Sequence, residues 1–313
     1  MHWMIKAGIQ NSVALLPDPL SHQIYYAIQR RFGGLRSISV EDKLRQGIGV
    51  AERAGRNGLR VAGARVLEVG TGRRLNLPLS LWLQGASEVT TVDLNPYLRP
   101  ELVQEDLRQM RDERARVEAL FGERLDAARL DTLLALADDF DLGRLLDTCS
   151  IRYHSPGDAA RVALEDGSID LHVSYEVFEH IPAPVLEAIL REGSRLLSAR
   201  GLLVHYIDFS DHFSHSDPQI GPINFLQYGE RAFGLLAGNR YMYMNRLRLD
   251  DFQEIYDRAG QQVVEQVASP DASTRERLAR GEPPLAPPFA GKSREVLATL
   301  HAWMVSRPQA AAA

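Results

Sequence analysis

Apolar positions between Met1 and Arg60 recur at helical intervals, as in Ile24, Ile28 and Phe32, spaced by four around Tyr25 and Tyr26. Pro17-Asp18-Pro19 and Gly33-Gly34 interrupt the pattern, so the region reads as short helices without a strand. From Arg65 the pattern changes. Val66-Leu67-Glu68-Val69 is a short apolar run stopped by Gly70, and Glu88-Val89-Thr90-Thr91-Val92-Asp93 is a second, rich in β-branched residues. Leu75–Gln84 between them reads as a helix. A charge-dense stretch from about Glu101 to Asp147 carries Val103, Leu107 and Met110, then Leu130, Leu133 and Leu134, at helical spacing, its Arg and Glu residues reading as a solvated surface. Further strands are predicted at Ile151–Tyr153, Ile169–Ser174 and Gly201–Ile207, with a helix over Ala183–Ser198 between the last two. A helix near Leu249–Ala259, a strand near Val263–Val267 and a last apolar run near Val296–Val305 follow.

Strands alternating with helices predict a mostly parallel sheet covered on both faces. At 313 residues the chain allows two domains or one with large additions, and 45% apolar with 25% charged residues excludes wholesale disorder. The longest apolar runs, such as Gly201-Leu202-Leu203-Val204, fall far short of the roughly 18 residues of a membrane span, so none is expected. The N-terminus has no secretory pattern and Cys149 is the lone cysteine, so a cytoplasmic location is expected. A net charge of -5 argues against a nucleic-acid partner. Pro283 to Pro288 reads as a rigid connection and Ala311-Ala312-Ala313 as a frayed end.

Gly70-Thr71-Gly72 sits where the first strand meets its helix, and a turn without Cβ atoms lets backbone approach a ligand closely. The third glycine of a dinucleotide fingerprint is missing, its place held by Leu75, which disfavours a pyrophosphate-bearing cofactor such as NAD; a tight turn alone would also explain the two glycines. Asp93 ends the next strand after Gly72, where a carboxylate can accept from both ribose hydroxyls. Capping of the following helix is the alternative role for Asp93. Asp158-Ala159 follows the third strand, Asp170 opens the fourth, and Ser174-Tyr175-Glu176 ends it at the same sheet edge.

These markers, with Glu176 to His180, Arg195-Leu196-Leu197 and Gly201, resemble the class I S-adenosylmethionine-dependent methyltransferases over about residues 64–207. The resemblance implies a Rossmann-like α/β sheet, mostly parallel with an antiparallel last strand, and S-adenosylmethionine as cofactor. It implies that Glu68, Gly70 and Gly72 line the methionine part, Asp93 the ribose, and Asp158 and Ala159 the adenine. Arg73-Arg74 departs from the small or neutral residues commoner after the glycines. The expected organisation is an N-terminal helical lid at 1–62 and a methyltransferase domain at 63–313, with insertions at about 101–147 and 208–248.

Methyl transfer is an in-line displacement that needs alignment and exclusion of water, not a covalent nucleophile. Cys149 is therefore expected to be a core residue. Tyr175, at the lip of the crevice, is a candidate for a cation–π contact with the sulfonium, with ordinary packing as its alternative role. His180, before Ile181-Pro182, reads as a loop histidine or a general base. The short segment from His205 to Asp217 holds three histidines and three aspartates. Those residue types suit a divalent ion, but fixed ligand spacing is lacking and no metal is expected. Asp208 and His212 are instead the candidates to orient or deprotonate an acceptor; turn capping is the bland role for such a loop. Arg246 or Arg248 could hold a substrate carboxylate or serve in ion pairs. The expected function is methyl transfer to an oxygen or nitrogen of a small molecule. Alternatives are cyclisation of the cofactor's aminobutyrate chain to azetidine-2-carboxylate with release of methylthioadenosine, or cofactor binding without catalysis. The oligomeric state is open.

Overall fold

The computed structural model describes residues 1–36 and 39–309, so Ala311-Ala312-Ala313 lies outside the described residues. Three helices come first, α1 (Trp3–Ala14), α2 (Asp18–Phe32) and α3 (Val40–Arg56). Then β1 (Arg65–Val69), α4 (Asn76–Leu83) and β2 (Glu88–Val92) alternate as the hydrophobic pattern predicts. The charge-dense stretch forms α5 (Pro100–Asp112), α6 (Arg114–Phe121), α7 (Ala127–Ala135) and α8 (Leu142–Thr148). After it come β3 (Ile151–His154), β4 (Ile169–Tyr175), α9 (Ala183–Leu196) and β5 (Leu197–Asp208). The last third holds α10 (Glu230–Ala237), α11 (Leu249–Arg258), β6 (Gln261–Pro270), α12 (Ala272–Ala279), α13 (Arg294–Ala298) and β7 (Thr299–Pro308).

Leu197 and Ser198, expected to end a helix, open a strand instead. Leu197 pairs with Ile169, and after a shift of register Leu202 pairs with Leu171, so helix passes into strand without a loop. The single apolar run at Val296–Val305 divides into the end of α13 and the start of β7.

The seven strands form one sheet in the order β3-β2-β1-β4-β5-β7-β6. β3, β2, β1, β4 and β5 run parallel, and β7 lies antiparallel between β5 and β6. The central strands are buried on both faces, which is why Val66-Leu67 and Leu171 read as apolar without alternation. One face packs against α3, α4 and α5, with Leu44, Leu79, Leu107 and Val173 in a single cluster. The other packs against α9 and α11 through Leu186, Leu190, Phe252 and Tyr256. A third cluster joins α1 to the segment after β5: Trp3 and Ala7 meet Phe213, Phe225, Phe233 and Met242. Strand order reverses between β1 and β4, and at such a switch point the carboxyl ends of the strands open a crevice. No helix among the described residues is long and apolar enough to cross a membrane.

Candidate active site

The crevice begins at the turn after β1. Gly70 (φ +91°) and Gly72 (φ +66°) both take the left-handed backbone that side chains with a Cβ avoid. Gly70 donates its N–H to Val92 O at 2.8 Å, tying the turn to the end of β2. A Cβ on Gly70 would also lie 2.8 Å from Val177 Cγ1 and nearer still to Cγ2. Gly70→Ala therefore combines backbone strain with overpacking. Its expected cost is about 2–5 kcal/mol, read as a lowered midpoint in urea together with loss of cofactor binding; an unchanged midpoint would show that the turn relaxes freely.

Gly72 donates its N–H to Asp93 Oδ2 at 2.8 Å, and Asn95 donates to Oδ1 at 2.9 Å. Each carboxylate oxygen thus spends one lone pair on backbone and keeps another. Burial raises the Asp93 pKa, while the N–H groups of Asn95 and Gly72 act in the other direction. The result is a fixed two-oxygen acceptor at the mouth of the turn.

Two cavities meet at this turn. The larger, about 850 Å³, is lined on the sheet side by Gly70, Gly72, Asp93, Asp158 and Ala159. Across from them are His22 and Tyr25 of α2 and Arg240, Tyr241 and Tyr243 of the segment after α10, with His180 also in the wall. The smaller, about 340 Å³, has Glu68, Thr71 and Tyr175 in its wall and shares Gly70, Gly72 and Arg73 with the larger. The sequence candidates for the cofactor are therefore brought to one place, Glu68 and Tyr175 on one side of the glycine turn and Asp93, Asp158 and Ala159 on the other.

Each wall is supported from behind. Thr91 donates its hydroxyl to the buried Glu68 carboxyl, whose pKa burial pushes up to about 8 against that hydrogen bond. Tyr175 stacks on Tyr206 with ring centroids 4.4 Å apart and meets the edge of Trp303 at 5.7 Å. Asp158 holds the turn after β3 by accepting from Ala160 N–H at 2.9 Å. The Arg73 guanidinium lies over Tyr26 and Tyr97, at 5.3 and 5.1 Å from the ring centroids. Tyr25 and Tyr241 stack at 3.9 Å, joining α2 to the segment after α10 at the cavity wall. α3, by contrast, belongs to the core of the sheet.

The His205–Asp217 cluster divides among several tasks. His205 points into the interior, between His172 and Tyr256. Asp211 accepts from Phe213 N–H at 2.9 Å, and Asp217 from Trp3 N–H at 2.8 Å and Gln219 N–H at 3.0 Å, all turn and terminus contacts. His215 pairs with Ser210 at 3.0 Å. Asp208 and His212 pair with each other at 3.2 Å. Neither lines the larger cavity. The residue that does is His180, whose ring centroid is 5.0 Å from that of His212. His180 Nδ1 is 2.8 Å from Tyr243 O, so that nitrogen carries the proton and donates it. Desolvation, aided by His212, pushes the His180 pKa down to about 4, leaving a neutral ring at pH 7 with Nε2 free of hydrogen. The sequence places His180 near the crevice but contains no sign that Asp208 and His212 would back it. Between β4 and the turn of Phe178–His180, Glu176 adopts φ +56°, and that left-handed step redirects the chain into the wall.

The two candidate arginines are structural. Arg248, fully buried, donates to Phe209 O at 2.5 Å, Leu297 O at 3.0 Å and Thr299 O at 2.5 Å. Arg246 donates to Phe225 O at 3.1 Å and Tyr228 O at 2.5 Å and pairs with Glu230. Their charge is taken up by Glu230 and by carbonyl groups of the segment after β5, of α13 and of β7, which they tie together. Cys149 is buried with its thiol pushed up to about 12, inert at neutral pH.

Residues 67–205 match the family model described as "Methyltransferase domain". No curated protein sequence matches the chain. Solved structures that align with it include the geranyl diphosphate C-methyltransferase from Streptomyces coelicolor A3(2), at 13% identity and a TM-score of 0.46, covering 84% of this chain and 78% of that one. The PH0226 protein from Pyrococcus horikoshii OT3 aligns at 12% identity and a TM-score of 0.46, covering 91% of this chain and 98% of that one. The matched residues run from β1 into β5 and hold the glycine turn, Asp93 and the sheet side of the crevice. The chain thus carries a methyltransferase domain between β1 and β5.

Proposed function

We propose that the protein transfers the methyl group of S-adenosylmethionine to an oxygen or nitrogen of a small molecule seated against His180. The observation that carries this reading is the continuity of one cavity from Asp93, Asp158 and Ala159 to His180 and Tyr243. Its volume, about 850 Å³, lies within the roughly 300–1,000 Å³ of small-molecule sites. In this reading the smaller cavity takes the methionine part beside Glu68, Gly70 and Gly72, Asp93 takes the ribose, and Asp158 with Ala159 takes the adenine. Tyr175, braced by Tyr206, presents its ring toward the sulfonium. His180, with His212 and Asp208 behind it, holds the acceptor atom and promotes loss of its proton. Helices α1 and α2 and the segment after β5 act as the lid that keeps water out. The charge of -5 supports a partner other than nucleic acid.

The test is incubation of the purified protein with S-adenosylmethionine, with and without panels of hydroxylated and amino-bearing acceptors, and identification of products by mass spectrometry. S-adenosylhomocysteine formed together with a methylated acceptor is the expected result. Methylthioadenosine formed from the cofactor alone would replace this reading with cyclisation, and binding with no product under any condition would leave a cofactor-binding module.

A further inference from the structure

Beside the acceptor end of the larger cavity lies a buried carboxylate with no partner. Glu179 is 2% exposed, and neither of its oxygens makes a hydrogen bond. Burial holds its carboxyl well above the ordinary range, with the nearby backbone N–H groups of Glu179 itself and Asp208 pulling the other way. Facing it is His180, whose Nε2 is 4.0 Å from Glu179 Oε1. Because Nδ1 of His180 donates to Tyr243 O, Nε2 presents a lone pair. With Glu179 ionised, as a metal ligand must be, two electron-pair donors face each other across this gap. Their spacing is too long for a hydrogen bond. Two ligands that share a tetrahedral ion at about 2.0–2.1 Å each stand about 3.3–3.4 Å apart, so the pair would close by about half an ångström onto an ion.

A third donor completes the set. One ring nitrogen of His212 joins a Glu179 oxygen and a His180 nitrogen, all within 4.8 Å of one another. Asp208 accepts from His212 Nε2 at 3.2 Å, the carboxylate backing that orients imidazole ligands of metals. Among the described residues no lysine or arginine pairs with Glu179 or Asp208, whose ion-pair neighbours are histidines alone.

We infer that Glu179, His180 and His212 form a binding site for a divalent transition metal, whose open coordination positions take the reacting oxygen or nitrogen of the acceptor. Two imidazoles and one carboxylate suit Zn²⁺, Co²⁺ or Mn²⁺, while Mg²⁺ and Ca²⁺ prefer oxygen throughout. Three protein ligands leave a position free, and His180 in the wall turns that position toward the cavity. The role assigned to the metal rests on the acceptor seat proposed above. A metal-bound hydroxyl releases its proton to water at a lowered pKa. Its oxygen then attacks the methyl carbon, the carbon–sulfur bond breaks, and S-adenosylhomocysteine leaves with the bonding electron pair on sulfur.

The test begins with protein stripped by a chelator and titrated with Co²⁺ alone, followed by visible absorption, with Zn²⁺ as competitor. About one equivalent should bind. Glu179→Gln and His212→Ala should each weaken binding on the order of 100-fold. His215→Ala, whose side chain is 57% exposed, should bind as the wild type does. Melting curves report folding, and His180→Ala, at a side chain 38% exposed, serves if either buried variant fails to fold. Absence of stoichiometric binding, or equal binding by all of these variants, overturns the site. Full methyl transfer by metal-free protein in chelator also overturns it while leaving methyl transfer intact. Metal bound at these residues by a protein that forms no S-adenosylhomocysteine upholds the site and removes the reading on which its role depends.

Discussion

Replacing Asp93 with alanine is expected to weaken binding of S-adenosylmethionine and S-adenosylhomocysteine by about 10²–10⁴-fold. The carboxylate ends β2 with one lone pair of each oxygen committed to the N–H groups of Gly72 and Asn95. In the proposed pose the remaining two lone pairs accept from the two ribose hydroxyls. Hydrogen bonds to a charged group contribute about 1.5–3 kcal/mol each, so losing both removes about 3–6 kcal/mol. The Gly72 and Asn95 N–H groups also lose their acceptor, which loosens the turn that shapes both cavities. Asp93→Asn keeps one carbonyl oxygen and should fall between wild type and alanine. Calorimetric titration with S-adenosylhomocysteine measures this directly; equal affinities for all three proteins would place the ribose elsewhere.

The second large effect is an acid instability written into the interior. His172 on β4 and His205 on β5 are fully buried, with Nδ1 of one 2.9 Å from Nε2 of the other, and His205 Nδ1 lies 2.5 Å from the Tyr256 hydroxyl. Desolvation pushes the His172 pKa down from 6.5 to about 4. Desolvation, with the charge of His172 behind it, holds His205 well below 6.5. Between pH 6.5 and about 4 the unfolded chain therefore binds more protons than the folded one. Stability from these rings is complete above pH 6.5 and is lost as pH falls toward 4. The loss is on the order of 3 kcal/mol for His172 alone, at about 1.4 kcal/mol per pKa unit.

Buried carboxyls act with the opposite sign. Burial raises Glu68 to about 8 and Asp106 to about 7, so the folded state holds those protons and gains stability as pH falls through that range. Comparison with a variant isolates the histidines. His172→Leu with His205→Leu and Tyr256→Phe removes the polar chain together with its partners, and so avoids leaving buried groups unpaired. Urea midpoints from pH 7.5 to 4.5 should fall more steeply for the wild type than for this variant. Parallel curves would mean that the rings take up protons without cost.

The apolar runs at Val66–Val69, Val89–Val92, Ile169–Val173 and Leu202–Val204 determine their own strands, because a strand buried on both faces must be apolar along its length. The glycine turn and Asp93 are equally local: left-handed backbone at Gly70 and Gly72 and a carboxylate one strand later are properties of short segments. Those segments, in that order, determine the sheet and the crevice at its carboxyl edge. The limits of local reading show at Leu197, where helical periodicity ran past the point at which pairing with Ile169 turns the chain into a strand. They show again at Arg246 and Arg248, whose types suit an anionic ligand but whose partners are carbonyl groups fixed by distant packing.

The acceptor end belongs to the tertiary structure. His212 and Asp208 lie four residues apart in a polar segment that marks them as candidates, but residue type does not say which of the His and Asp residues of 205–217 turn inward, cap turns or face another element. Packing sorts them: His205 goes inward, Asp211 and Asp217 to turns, and His212 to His180. Glu179 and His180 come from the turn just after β4, separated from His212 by all of α9 and β5. What the sequence by itself determined is the sheet, its glycine turn and the placing of Asp93 and Asp158 at successive strand ends, since each follows from backbone preference and burial within a few residues. The tertiary structure alone decided which polar side chains share the cavity wall, because parallel pairing of β4 with β5 sets the ends of two distant segments side by side.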